Sequence, residues 1–103
     1  MDPFKPYTPS QRPAPGPAIR SLEDAQTVAL KAIAFIAGDD ELLSRFVALT
    51  GCGADDIRHR ITDAAFLGGV LDFILADEPT VLAFVEAAEL APETPMAARS
   101  KLP

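Results

Sequence analysis

The chain has 103 residues, 49% apolar and 23% charged, with 15 acidic against 9 basic side chains. That length has room for one small core and excludes two independent ones, and the composition is that of a globular chain. The charge is unevenly placed. Residues 1–20 hold six of the ten prolines and set Lys5, Arg12 and Arg20 against Asp2, whereas the rest carries six basic and fourteen acidic side chains, a net of −8.

A body of that sign repels phosphate backbones and anionic lipid, so nucleic acid and membrane surfaces are disfavoured as partners. The lone cysteine, Cys52, has no internal partner for a disulfide, which is consistent with a reducing cytosol. No apolar run follows a basic start, so no secretory signal is expected. The longest apolar stretch, AAFLGGVLDFILA, has 13 residues broken by Asp72 and is too short to span a bilayer. The expectation is a soluble, cytoplasmic protein.

In chain order, MDPFKPYTPSQRPAPGPAIR (residues 1–20) reads as a flexible, disordered Pro-rich arm ahead of one small helical domain over residues 21–103. Pro3, Pro6 and Pro9 repeat with the period of polyproline II, and Phe4 and Tyr7 share a second edge of that helix. The arm is either a solvated tail or a docking peptide whose two rings enter a partner's pockets.

Ser21 supplies the N-cap of a first helix, with Asp24 three residues on, and the helix runs to Ala37 on Leu22, Ala25, Ala29, Ile33 and Ile36. Gly38 ends it. Asp39 or Asp40 caps a second helix carrying Leu42, Leu43, Phe46, Val47 and Leu49, and Gly51 supplies its left-handed stop. GADDIRHRI makes a short third helix. Asp63 caps a fourth over residues 64–76, with Phe66, Leu67, Val70, Leu71 and Ile74 inward. Pro79 lies in the first turn of a fifth, packed by Val81, Leu82, Phe84, Val85 and Ala88. LAPETPMAARSKL reads as a turn and a short frayed terminal helix. No stretch alternates with period two, so no sheet is expected.

Slid back by 38 positions, FILADEPTVLAFV falls on FIAGDDELLSRFV, with Phe35/Phe73, Ile36/Ile74, Asp39/Asp77, Phe46/Phe84 and Val47/Val85 identical. Helices one and two form one antiparallel hairpin, and helices four and five form another of the same design. Neither buries its apolar stripe alone; stacking the two does so. The fold expected is all-α: two stacked hairpins forming a pseudo-repeat, plus two short helices.

The segments FLGGVLDFILADEPTVLAFVEAAEL and ALKAIAFIAGDDELLSRFVALTGCGADDIR make residues 22–92 resemble the bacterial family called domain of unknown function 3572. The resemblance implies a compact all-helical protein of alphaproteobacterial type. It carries over no activity, cofactor or catalytic residue.

The residues argue for the rest. Asp39, Asp40, Glu41, Asp77 and Glu78 stand where helices begin and bind free backbone N–H groups there; GDDE lacks the spacing and central glycine of a calcium loop. Cys52 and His59 could in principle pair for nucleophilic catalysis, but no third orienting group accompanies them. Residues 46–61 have the outline of a helix-turn-helix in which Arg58, His59 and Arg60 ride on the second helix. Asp55 and Asp56 occupy the end that would face bases, and the shape is also ordinary packing. Gly68–Gly69 breaks a local rule, since a mid-helix glycine costs about 1 kcal/mol relative to alanine. The face Ala65, Gly68, Gly69, Asp72 and Ala76 is either where another helix of the domain crosses closely or a shallow groove open to a partner helix or a second copy, with Asp72 as its polar anchor.

The function expected is a protein-protein interaction or regulatory module with no catalytic constellation, no metal site and no cofactor. Its contacts would come from Phe4, Tyr7, Ala65, Gly68, Gly69 and Asp72. The alternative is a nucleic-acid-binding regulator using Arg58, His59 and Arg60; a Cys52-based enzyme is a distant third.

Overall fold

The structure, a computed structural model, describes residues 19–103. Phe4 and Tyr7 lie outside that span. Six helices follow in order: α1 Leu22–Ala37, α2 Asp40–Thr50, α3 Ala54–Arg60, α4 Ala64–Leu75, α5 Glu78–Ala88 and α6 Thr94–Arg99. Among the described residues there is no strand.

The boundaries follow from side chains that satisfy the free N–H groups of each first turn. Ser21 Oγ accepts from the Asp24 N–H at 3.2 Å, and the Asp24 carboxylate reaches back to the Arg20 N–H at 2.9 Å. Asp39 Oδ1 accepts from the N–H groups of Glu41 and Leu42 at 3.0 and 3.2 Å, so Asp39, not Asp40, caps α2. Asp63 caps α4 through the Ala65 N–H, and Asp77 caps α5 through the Thr80 N–H and hydroxyl.

α1 is the central element, lying most extensively on α4 and α6 and also touching α2 and α5. Its buried stripe is Ala25, Val28, Ala29, Ala32 and Ile36. Three of those five are alanines with no exposure at all, so neighbouring helices approach its backbone closely; interaxial distance is set by the side chains at the contact. Phe46, Leu67, Val70, Leu71, Ile74 and Phe84 fill the space between α1 and the other helices, each contributing about 1.5–3 kcal/mol on leaving water.

The offset of 38 recurs at several points of the backbone. α2 and α5 each have 11 residues and begin 38 positions apart. The residues between helices, Gly38–Asp39 and Ala76–Asp77, adopt matching conformations: φ −83° and −71° at the first pair, −129° and −139° at the second. The aromatic contacts cross reciprocally. Phe35 of α1 meets Phe84 of α5 with ring centroids 5.5 Å apart, and Phe73 of α4 meets Phe46 of α2 at 5.3 Å. Each hairpin therefore lends the ring of its first helix to the second helix of the other.

The C-terminal stretch departs from the frayed helix expected of it. α6 buries Thr94, Pro95 and Ala98, and Leu102 beyond it is 7% exposed. Its contact with α1 rivals that between α1 and α4. Three side chains assigned to the core are on the surface instead: Leu22 is 46%, Leu49 74% and Leu82 52% exposed. Each stands at a helical position consistent with an apolar stripe, but no described residue covers that edge of its helix.

Candidate functional site

The face of α4 expected to be either a close crossing or an open groove is divided between the two by the chain's own C-terminal segment. Gly68 is buried. A Cβ placed on it would stand 2.8 Å from the Pro103 carbonyl oxygen and 3.2 Å from Arg99 Nη1. The missing side chain is thus a steric requirement of the terminal segment, which crosses α4 at this point. Gly69 is different: a Cβ there would meet nothing within 4 Å. Ala65, Gly69, Asp72 and Ala76 are exposed.

Asp72 does not stand alone on that face. Arg99 Nε donates to its Oδ1 at 2.7 Å, while Arg99 Nη1 donates to the carbonyl oxygens of Leu102 and Pro103 at 2.9 and 3.1 Å. One guanidinium fork ties α4, α6 and the terminal residues together, the fixed geometry that distinguishes arginine from lysine. The hydrogen bond to Asp72 raises the Arg99 pKa above its usual value. Reading along the sequence misses Arg99 because its partner is 27 positions away; Pro95 in the first turn was the available signal that a real helix begins there.

Two further grooves lie along the crossed interfaces of the hairpins. One, of about 320 Å³, runs between α1 and α5 over Lys31, Ala34, Phe35, Ala87 and Ala88. The other, of about 250 Å³, lies between α2 and α4 at Arg45, Leu49, Phe73, Ala76 and Asp77. A third depression, between the two hairpin turns, joins Phe35, Leu42 and Pro79 to Asp39, Glu41, Asp77 and Arg45.

The residues considered for other chemistry are dispersed. Cys52 is 5% exposed and belongs to the hydrophobic core; its N–H donates to Thr50 Oγ1, which in turn donates to the Phe46 carbonyl. Arg58, His59 and Arg60 are exposed on α3, a helix with no extensive contact to any other. Arg58 is paired with Asp55 at 2.6 Å, and His59 Nδ1 lies 2.8 Å from the Asp55 carbonyl oxygen. Successive residues of a helix point about 100° apart, so these three cannot share one face. Among the described residues no group of three or more His, Cys, Asp or Glu is placed to hold a metal ion, and no helix is long and apolar enough to cross a membrane.

The fold and its surfaces define an all-α domain in which two helical hairpins are closed by a C-terminal helix. Within that class the chain belongs to the family described as protein of unknown function (DUF3572), which matches residues 22–103. The match takes in α6 and the residues after it, beyond residue 92. No curated protein and no solved structure matches the chain.

Proposed function

We propose that the protein works by binding another protein, docking through the open part of the α4 face. The observation that carries this reading is Gly69. A glycine inside a helix costs about 1 kcal/mol relative to alanine. For Gly68 the crossing terminus offsets that cost; for Gly69, with nothing within 4 Å of its missing Cβ, no contact among the described residues does. A local rule broken without internal compensation is the mark of a surface shaped for something else. Ala65 extends the small-residue strip, and Asp72, already oriented by Arg99, offers a carboxylate oxygen at its edge. Phe4 and Tyr7, which lie outside the described residues, are the arm's contribution to the same partner.

The test is a pull-down with the full chain, with Gly69→Leu and with residues 1–20 removed. A Cβ at position 69 meets nothing within 4 Å and the residue is exposed, so the variant is expected to fold and to lose partner recovery. If both altered proteins are folded and recover every partner as before, the reading fails.

A further inference from the structure

The two grooves on the crossed interfaces have the same plan and different dressing. In the α2/α4 groove the Arg45 guanidinium stands 6.0 Å from the centroid of the Phe73 ring, with Leu49 beside it. In the α1/α5 groove the equivalent ring is Phe35, and the positions 38 residues on from Arg45 and Leu49 are Ala83 and Ala87. The arginine and leucine that dress one aromatic are reduced to methyl groups beside the other. What remains is the larger of the two grooves, and it opens toward Asp39, Glu41 and Asp77 in the adjoining depression through their shared Phe35.

We propose that the occupant of the α1/α5 groove is the chain's own N-terminal segment, with Phe4 or Tyr7 over Phe35 and Lys5 facing Asp39 and Glu41. The sister groove shows what is missing beside the ring: an apolar body, with a cation on the Asp39 and Glu41 side in addition to the Lys31 that lines the groove. PFKPY, residues 3–7, supplies both. The charges agree at the end where Lys5 is placed: residues 1–18 carry Lys5 and Arg12 against Asp2, and Asp39, Glu41 and Asp77 outnumber Arg45 there, while Lys31 lines the part of the groove that takes the ring. The reach is sufficient. Ile19 rests on the core at the start of α1, and Phe35 lies roughly 20 Å further along that helix at 1.5 Å per residue. The stretch from Tyr7 to Ile19 spans about 37 Å as polyproline II. A proline-rich segment also loses less conformational freedom on docking than an ordinary one. This inference concerns a different face from α4 and stands apart from the reading of Gly69; it seats Phe4 and Tyr7 in the chain's own groove in the free protein, so their contribution to a partner requires that they first leave it.

A nitroxide on Thr8→Cys in the full-length chain tests it, since the buried Cys52 is protected from labelling. The backbone amides of Lys31, Phe35 and Ala87 are expected to broaden several-fold more than that of Arg58. The effect should disappear in the Phe4→Ala/Tyr7→Ala double variant and in Ala87→Leu, which fills the groove as Leu49 does its counterpart. Should Ala87→Leu fail to fold, the double aromatic variant decides alone. Equal broadening at Arg58 and the groove overturns the proposal, as does broadening that survives loss of both rings. Broadening seen only when labelled chains are mixed with isotope-enriched unlabelled ones assigns the occupant to a second copy, and overturns it equally.

Discussion

Gly51 and Glu89, 38 positions apart, are the two described residues with positive φ, at 74° and 58°. Each ends the second helix of a hairpin. At the first, the Gly51 N–H closes on the Val47 carbonyl at 2.7 Å. At the second, the Leu90 N–H reaches the Val85 carbonyl at 2.8 Å and the Glu89 N–H the Glu86 carbonyl at 3.3 Å, the paired bonds of a Schellman turn, with Leu90 and Val85 both buried. The left-handed conformation suits glycine and strains glutamate by about 1 kcal/mol. Glu89→Gly is expected to stabilise the fold by about 0.5–1 kcal/mol and Gly51→Ala to destabilise it by roughly 1 kcal/mol. Urea midpoints measure both, and a destabilising Glu89→Gly contradicts the assignment.

The neighbouring glycines of α4 are expected to respond with opposite signs. Gly69→Ala gains helix propensity without a steric cost and should stabilise by about 1 kcal/mol. In Gly68→Ala the same gain is outweighed because the new methyl meets the Pro103 backbone and the Arg99 side chain; a net loss of about 1–2 kcal/mol is expected. Equal effects at the two sites would mean that the terminus does not lie on α4.

Arg99→Ala removes one charged hydrogen bond to Asp72 and two to terminal carbonyls. Asp72 is 58% exposed on its side chain, which weakens the ion pair itself to less than about 1 kcal/mol. With the carbonyl contacts the loss should be roughly 1–2 kcal/mol. Arg99→Lys should recover little, because a point charge cannot serve all three acceptors. Hydrogen exchange at Leu102 is the local readout: it should accelerate in both variants, and full protection in Arg99→Lys would refute the fork.

The Thr80 hydroxyl, buried with its residue, donates to Asp77 and holds that carboxyl below its ordinary pKa of 3.8. The unfolded chain lacks this bond, so on acidification it takes up the proton first. The stabilisation is therefore complete above the unfolded pKa and disappears as pH falls through the lower folded value. Asp77→Asn should be less stable than wild type at pH 7, with the gap between their urea midpoints closing as pH falls below the ordinary value of 3.8 and through the lower folded one. A gap that stays constant or widens in acid contradicts this.

Phe46 is 1% exposed and meets Phe73 and Phe66 edge to face, at centroid distances of 5.3 and 6.2 Å. Phe46→Ala should cost about 3–5 kcal/mol, much of the total stability of a domain this size. Phe66→Ala, at a half-buried ring, should cost distinctly less. Thermal denaturation by circular dichroism orders the two.

Much of this fold is local and was legible. Ser21, Asp39, Asp63 and Asp77 mark helix starts because their oxygens bind N–H groups two or three residues away, and Gly51 marks a stop because only the next turn of the chain is involved. The absence of any period-two alternation likewise announced an all-helical chain, and among the described residues there is no strand. The candidate site was less legible: Gly68 and Gly69 are identical in sequence terms and opposite in the structure.

The sequence by itself determined where helices begin and end, because those choices rest on contacts within four or five residues. Tertiary structure alone decided which apolar edges are covered. It left Leu22, Leu49 and Leu82 exposed, packed the terminal helix onto α1 and α4, and split the glycine pair between a closed crossing and an open face. Burial depends on which distant segment arrives at a surface, and periodicity records only that a surface is there to be covered.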